Sequence, residues 1–487
     1  MAAASHAMER IRAVSSHLIP APVAAVAGVV PVHGFKQGPP LPADADLSKV
    51  AAERGIEFFL VSYVDLFGVL RSKMVPAEGI AQIQKDGAGF APFASWLDYG
   101  PDAADLVVIP DPTTLIQIPF QPELAFILGD CYIEGEKVQD SPRWVLKNQI
   151  AKAAASGYTF KTGVEAEFFL LEANEMVISD PRDTQAKPCY DAQAMMRRYS
   201  LLTAIVSSLN LCGYGIYQTD HEDGNGQFEI NWHYSDCLTT ADRHVFFKWV
   251  VKTLAERHGF RATFMPRPFK DLTGSGCHSH CSLWAGDKNV FVGQGGEKGT
   301  IAGLGLSTLG LQFLGGVVEK TRSFCAITNP TVNSYKRLNG AVTNSGSTWS
   351  PNRISFSGNN RSHMVRVPEG DRFELRLADG AVNPYLLQAC ILAAGLCGIE
   401  KKLDPSASFM HPSVNMYLIP DGAKEVAHIK QLPTNMLDAL RLMEADAELT
   451  AMLGQKFVEA FLKLKKNEWR EFAAHLSPWE LDRTLDC

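Results

Sequence analysis

Two glutamates two residues apart, in Gly163-Val-Glu165-Ala-Glu167-Phe-Phe-Leu170, stand in an otherwise strongly apolar run. Strand alternation puts both on one face. Neighbouring like charges repel, and desolvation aggravates the repulsion unless a cation neutralises them, so a divalent metal is one reading. A solvent-facing edge strand with alternating acids is the other. In Asp220-His-Glu222-Asp-Gly-Asn-Gly-Gln-Phe-Glu229-Ile-Asn, two glycines permit a tight loop and Glu229 enters an apolar alternation, so Glu222 and Glu229 can converge. The plain alternative is an acidic turn. Hard oxygen ligands of this kind suit Mg²⁺ or Mn²⁺, whereas zinc draws on Cys and more His. Gly274-Ser-Gly276-Cys-His278-Ser-His280-Cys-Ser282 places two histidines on one strand face behind small residues that let a ligand approach the backbone. It lacks the Lys-Ser/Thr ending of a P-loop. Arg361 and Arg366 precede Arg372-Phe-Glu374-Leu-Arg376-Leu, where alternation sets Arg372, Glu374 and Arg376 on one face. Such a face is either a surface ion-pair ladder or a place to hold a metal and clamp phosphate oxygens. Taken together, the four segments supply acids and histidine for two hard cations and arginines for phosphate and carboxylate; no Ser-His-Asp or Cys-His arrangement competes.

The elements that must position these residues are legible in outline. At 487 residues the chain exceeds what one hydrophobic core usually supports, so a small and a large domain are expected. From Ile56 to Val64 the sequence reads as a strand leading into the turn Asp65-Leu-Phe-Gly68. With further strand-like runs such as Ala125 to Leu128, this gives a β-rich domain over 46–135 ending its strands near Asp130. Ser141-Pro142 opens a helix with Ser as N-cap. Helical stretches at 193–212 and 239–258 then alternate with short apolar strands through a domain over 141–487, and the charged helix 456–476 is expected to pack outside the core. Residues 1–45 are poor in acids and rich in Ala, Val and Pro, which fits either an organelle transit peptide or a disordered tail.

A net charge of −7 without clustered Lys and Arg excludes a nucleic-acid footprint. No apolar window reaches the ~18 residues of a membrane span. The ten scattered cysteines form neither a metal-type pair nor a disulfide framework, which suits a reducing compartment, cytoplasmic or, with a transit peptide, plastid.

The chain resembles the glutamine synthetase superfamily across roughly residues 55–487, through Asp65-Leu-Phe-Gly, Gly163-Val-Glu-Ala-Glu-Phe-Phe, His221-Glu, Gly226-Gln-Phe-Glu, Phe264-Met-Pro-Arg-Pro, Gly274-Ser-Gly-Cys-His, Asn329-Pro-Thr-Val-Asn-Ser-Tyr-Lys-Arg, Asn360-Arg-Ser and Arg372-Phe-Glu-Leu-Arg. It looks nearest to the type III-like and γ-glutamylmethylamide synthetase branch. The resemblance implies an α+β fold, with an N-terminal β-grasp domain followed by a catalytic domain with a curved antiparallel sheet, in rings of identical subunits with active sites between neighbours. It implies ATP and two Mg²⁺ or Mn²⁺ ions, with Glu167, Glu222 and Glu229 holding one metal and Glu165, His278 and Glu374 the other. Arg337, Arg361 and Arg376 would engage the substrate carboxylate and phosphoryl group, with Gly274 at the substrate. His280, Ser282, Arg366 and Arg372 would lie nearer the nucleotide, and Asp65 would reach a neighbour's site to bind the amine. The implied reaction joins the γ-carboxylate of L-glutamate to ammonia through γ-glutamyl phosphate.

The sequence also departs from that pattern. In the main members a mobile loop after Lys-Arg-Leu carries a glutamate; here Arg337-Leu-Asn-Gly-Ala-Val-Thr-Asn-Ser-Gly-Ser-Thr-Trp349 has no acid. Thr273 stands where Asn is common, and Glu369-Gly-Asp371 replaces a lysine. These changes fall on the amine and substrate side. A γ-glutamyl-alkylamide synthetase and a non-catalytic structural relative are therefore the alternatives.

Overall fold

The computed structural model describes residues 30–293, 301, 303–420 and 422–487. Residues 1–29, the greater part of the expected tail or transit peptide, lie outside the described residues. The next few lie along the first sheet, where the Val32 amide donates to the Pro119 carbonyl (2.9 Å) and Arg54 Nη2 to that of Pro39 (2.8 Å).

The first sheet comprises β1 (Phe58–Val64), β2 (Leu70–Pro76), β3 (Ala88–Phe90), β4 (Leu106–Pro110), β5 (Ile116–Ile118), β6 (Gln121–Ile133) and β7 (Glu136–Lys137), ordered β2-β1-β6-β4-β3 with β5 and β7 also on β6. The β1–β2 hairpin is antiparallel and β1 runs parallel to β6, an arrangement consistent with a β-grasp. The hairpin turn is built by Asp65, whose Oδ1 accepts the Phe67 and Val69 amides (both 3.0 Å).

The second part of the chain holds β8 (Thr159–Ala166), β9 (Phe168–Glu172), β10 (Ile216–His221), β11 (Gln227–Trp232), β12 (Ser235–Asp236), β13 (Phe260–Thr263), β14 (Cys277–Ala285), β15 (Lys288–Asn289), β16 (Phe356–Ser357), β17 (Val365–Arg366) and β18 (Phe373–Leu375). They form two sheets, β12-β8-β14-β18-β17-β16 with β15 on β14, and β10-β11-β9-β13. Pairing is antiparallel apart from β16–β17. β8 and β9 are one run of chain that leaves the first of these sheets and enters the second at Glu167, whose amide donates to the Gly276 carbonyl (3.1 Å). The apolar residues on either side of Glu167, Val164, Ala166 and Phe168 to Leu171, are buried and anchor this crossing.

Helices back the sheets. Cys237–Arg257 is capped by Asp236, which accepts from the Leu238 and Thr239 amides. Pro384–Glu400 is apolar all round and correspondingly buried. It crosses Thr308–Thr328 where Gly316 faces Gly398; a Cβ on Gly316 would meet the Ala394 carbonyl oxygen at 1.9 Å, so only glycine allows this approach. Three expectations change. The stretch 193–212 is two helices, Ala192–Arg197 and Tyr199–Leu211, parted at Arg198. Ser141 occupies the N-cap position of Pro142–Ala155 without a side-chain capping bond. Helix Gln455–Ala474 joins the core through Phe457, Val458, Phe461 and Leu462 instead of lying outside it, because its charges apart from the buried Lys465 lie off that face. Among the described residues, no helix is long and apolar enough to cross a membrane.

Arg143 ties the first sheet to the second part of the chain. Its buried guanidinium contacts Asp111 (2.9 Å) and Asp130 (2.7 Å) of the first sheet and Asp242 (3.0 Å) of helix Cys237–Arg257. Burial would weaken its charge, but Asp242 and Asp130 outweigh that and raise its pKa well above the ordinary arginine value. Arg143→Ala leaves Asp111 and Asp242 without their guanidinium, with Lys147 still paired to Asp130, and is expected to cost ~3–5 kcal/mol, read as a fall in the midpoint of urea unfolding.

Candidate active site

The sheet registers explain how distant residues meet. In the antiparallel ladder, Glu165 of β8 lies opposite His278 of β14, and His280 lies between Gly163 on one side and Glu374 of β18 on the other. Glu374 in turn faces Arg366 of β17. Opposed residues in such a ladder share a face, so Glu165, His278, His280, Glu374 and Arg366 gather on one surface.

Contacts are correspondingly short. His280 Nε2 lies 2.9 Å from Glu165 Oε1, and His278 Nδ1 lies 3.4 Å from Glu165 Oε2 and 3.6 Å from Glu374 Oε1. Glu374 is gripped by two arginines: Arg376 Nη1 on Oε1, and Arg366 Nε 2.6 Å from Oε2. The Arg366 contact lacks hydrogen-bond alignment, leaving Glu374 Oε2 without a hydrogen-bond partner; His278 Nε2 is likewise buried and unpartnered. Burial raises the Glu374 carboxyl, but Arg376 and the two histidines hold it below the usual range. For Glu165 the same balance, won by His278 and His280, takes it well below. Burial, reinforced by Arg376, lowers His278 and favours the neutral imidazole.

The other half of the site is carboxylate against carboxylate. One oxygen from each of Glu167, Glu222 and Glu229 lies within 4.8 Å of the others. Burial and then the neighbouring acids push Glu222 and Glu229 well above the ordinary carboxylate value. Two fixed donors orient Glu167: its Oε2 accepts Gln227 Nε2 (2.9 Å) and the Gly276 amide (2.8 Å). Asn231 Nδ2 donates to Glu229 Oε1 (2.9 Å). Any Cβ on Gly276 would crowd Arg337 Nη2 and His278 Nε2, both 2.9 Å away, and Glu167 Oε1 at 3.1 Å. Similarly tight triads through Glu165 run to Glu229 with His278 and to His280 with Glu374, so Glu165 joins the two halves. A donor set of carboxylates with neutral imidazole, unpartnered buried atoms and uncompensated acids fits hard divalent cations.

The remaining expected residues are distributed around this cluster. Arg337 is buried against it and donates to the Leu377 (2.9 Å) and Arg376 (3.3 Å) carbonyls. Gly274 lies beside Arg337, and its carbonyl accepts Gln227 Nε2 (3.2 Å). His280, Ser282, Arg366 and Arg372 line one cavity of about 550 Å³ with Glu165, Lys161 and Trp284. Arg372 also pairs with Glu369 (3.2 Å) and Asp371 (3.1 Å). Arg361 is exposed and makes no ion pair with the cluster. Asp65 is not brought to the cluster within this chain. It is buried, and its Oδ2 accepts Arg71 Nε (2.8 Å) and the Trp96 amide (3.3 Å).

Sequence reasoning gave no role to Gln227 or Asn231, although Gln227, Glu229 and Asn231 alternate on one face of β11 and that spacing carried the signal. Asp223 and Trp349, which meet across the site (2.7 Å), carried no comparable signal.

Two mainly antiparallel sheets thus bring a cluster of carboxylates and histidines to the side of a cavity of about 550 Å³ lined by arginines. Residues 139–484 match the family model described as glutamine synthetase, catalytic domain. The chain is 52% identical over 441 residues to a protein of Rhizobium leguminosarum bv. phaseoli named glutamine synthetase, covering 91% of this chain and 99% of that one. It is 40% identical over 438 residues to the glutamate–methylamine ligase of Methyloversatilis universalis, covering 89% and 97%. A solved structure named GmaS/ADP complex superposes with a TM-score of 0.85 at 51% identity, covering 91% of this chain and all of that one. The chain belongs to the glutamine synthetase family.

If the crowded acids are a cation site, metal must stabilise the folded chain. Mg²⁺ or Mn²⁺ at 100-fold over Kd is expected to add ~2.7 kcal/mol, seen as a rise in thermal midpoint. Glu229→Ala is expected to remove most of that rise while leaving the metal-free protein as stable or more so, since it relieves repulsion.

Proposed function

We propose that this chain is an ATP-dependent ligase that joins the γ-carboxylate of L-glutamate to ammonia through γ-glutamyl phosphate. The observation that carries this reading is that Glu165, which lines the 550 Å³ cavity with Arg366 and Arg372, groups tightly both with Glu229 and His278 and with His280 and the arginine-gripped Glu374. A carboxylate is a poor electrophile. Its oxygen attacks the γ-phosphorus of ATP, the bond to the β-phosphate oxygen breaks, and ADP leaves. The amine nitrogen then attacks the acyl carbon, loses a proton, and inorganic phosphate departs. Two Mg²⁺ or Mn²⁺ ions, when bound by Glu167, Glu222 and Glu229 and by Glu165, His278 and Glu374, offset the charge that collects during phosphoryl transfer. In this reading Arg376 and Arg366, which pair with Glu374, exchange that hold for phosphate oxygens once a cation neutralises the acid. Arg337, buried beside Gly274, is placed to receive the substrate carboxylate. Asp65 acts at a neighbouring subunit in a ring of identical copies, which accounts for its distance from its own cluster.

The acid-free loop after Arg337 favours a second reading, in which the acceptor is methylamine or another small alkylamine. The 40% identity to a glutamate–methylamine ligase supports it. Amide formation and phosphate release, measured with ATP and glutamate across ammonium, methylamine and ethylamine, separate the two. Amide formation with ammonium at a kcat/KM at least equal to that with the alkylamines is expected; a strong alkylamine preference rejects the first reading in favour of the second. Glu165→Ala is expected to lower kcat by ~10²–10³, and absence of glutamate-dependent phosphate release with every amine overturns both.

A further inference from the structure

The loop that lacks an acid is held by one. Asp223, next to Glu222, is buried, and its Oδ2 receives Thr273 Oγ1 (2.8 Å), Trp349 Nε1 (2.7 Å) and the Ser345 hydroxyl. Thr273 immediately precedes the Gly274-Ser-Gly turn, while Ser345 and Trp349 belong to the loop after Arg337. Two separate segments therefore close on a single oxygen of a third. Residues 340–349 form no helix or strand. Besides these bonds, the Asn344 amide donates to the Asp271 carbonyl (3.3 Å) and Thr343 Oγ1 approaches Thr273 Oγ1 (3.5 Å). Trp349 has φ +50°, a conformation unfavourable for a bulky side chain unless surrounding contacts hold it.

We propose that Asp223 is a positioning residue that latches the 340–349 loop across the amine side of the site, so that the acyl phosphate meets the amine and not water. The proposal rests on the ligase reading above. The polarity of closure is inverted relative to a loop that brings its own acid: here the loop supplies donors and the fixed segment beside a metal-side glutamate supplies the acceptor. Bonds to a carboxylate are roughly twice as strong as neutral ones, so the contact suits a closure that must hold during turnover. Water and amine attack the same acyl carbon; either way the bond to the phosphate oxygen breaks and phosphate leaves. A loosened loop therefore shows as phosphate released without amide formed.

The test compares wild type, Asp223→Asn, Trp349→Phe and the double variant, at saturating glutamate and ATP, by phosphate-to-amide ratio and by the KM for the amine. Hydrogen exchange of residues 340–349 is followed in the same proteins. Asp223→Asn is expected to raise the ratio from near one to several-fold and the amine KM by about tenfold, the equivalent of one charge-assisted bond. The glutamate KM should stay within about twofold, and exchange of the loop should quicken. Trp349→Phe, which keeps the ring's bulk but loses the N–H, should give a smaller effect, and the double variant should be no worse than Asp223→Asn because both break one contact. An unchanged ratio and unchanged loop exchange in Asp223→Asn, or effects that multiply in the double variant, overturn the latch. Faster loop exchange in Asp223→Asn when wild type forms no amide supports the latch while the ligase reading fails, so the two ideas fall separately.

Discussion

Mutual repulsion among buried carboxylates is the constraint to which the rest of this structure answers. Glu167, Glu222 and Glu229 converge beside the His278 imidazole, whose Nε2 lies 3.9 Å from Glu167 Oε1, and burial raises Glu222 and Glu229 further. An apolar pocket would not hold such a group in place; rigid strands and fixed donors must. The antiparallel ladder provides the strands, and Gln227, the Gly276 amide and Asn231 provide the donors. Across Glu165 the balance reverses, since His278 and His280 hold Glu165 well below the usual carboxylate range and Arg376 with the same histidines holds Glu374 below it. The site is thus electrostatically asymmetric: one side demands positive charge, and the other already carries it and can release it to an incoming anion.

The packing behind the sheets keeps this arrangement stiff. The helices that cross at Gly316 and Gly398 approach as closely as backbones can, which fixes the surface on which the ladder rests. Arg143 joins the first sheet to the same body, so the Asp65 turn and the cation cluster belong to one connected framework although they face different places. The 340–349 loop is attached chiefly by side chains, with the Asn344 amide on the Asp271 carbonyl as its backbone link, and not by a ladder.

Much of this was legible in the sequence, and for a physical reason. Period-two alternation around Glu165, Glu229, His278 and Glu374 survives folding because strands preserve it: Glu165, His278 and Glu374 fall in one sheet and Glu229 in the sheet next in the chain's path. Glu167 was the partial exception. Alternation grouped it with Glu165, but the chain changes sheet at that residue, and the kink sends its carboxylate to the other triad. The C-terminal helix misled because its charges hide a stripe of Phe and Val facing the core. Asp223 left no trace in the pattern, since its partners Thr273 and Trp349 are joined by tertiary contacts that no local periodicity encodes.

The crossing at Glu167 bears on how such a protein can diverge. Glu165 and Glu167 are separated by one residue across a change of sheet, so an insertion or deletion between them would turn one of the two away from its partners. The loop contacts, made by a few hydroxyls and one indole, can be rewritten one substitution at a time without disturbing a strand. A lineage built on this frame is therefore free to vary its loop contacts while the carboxylates on its strands stay where they are.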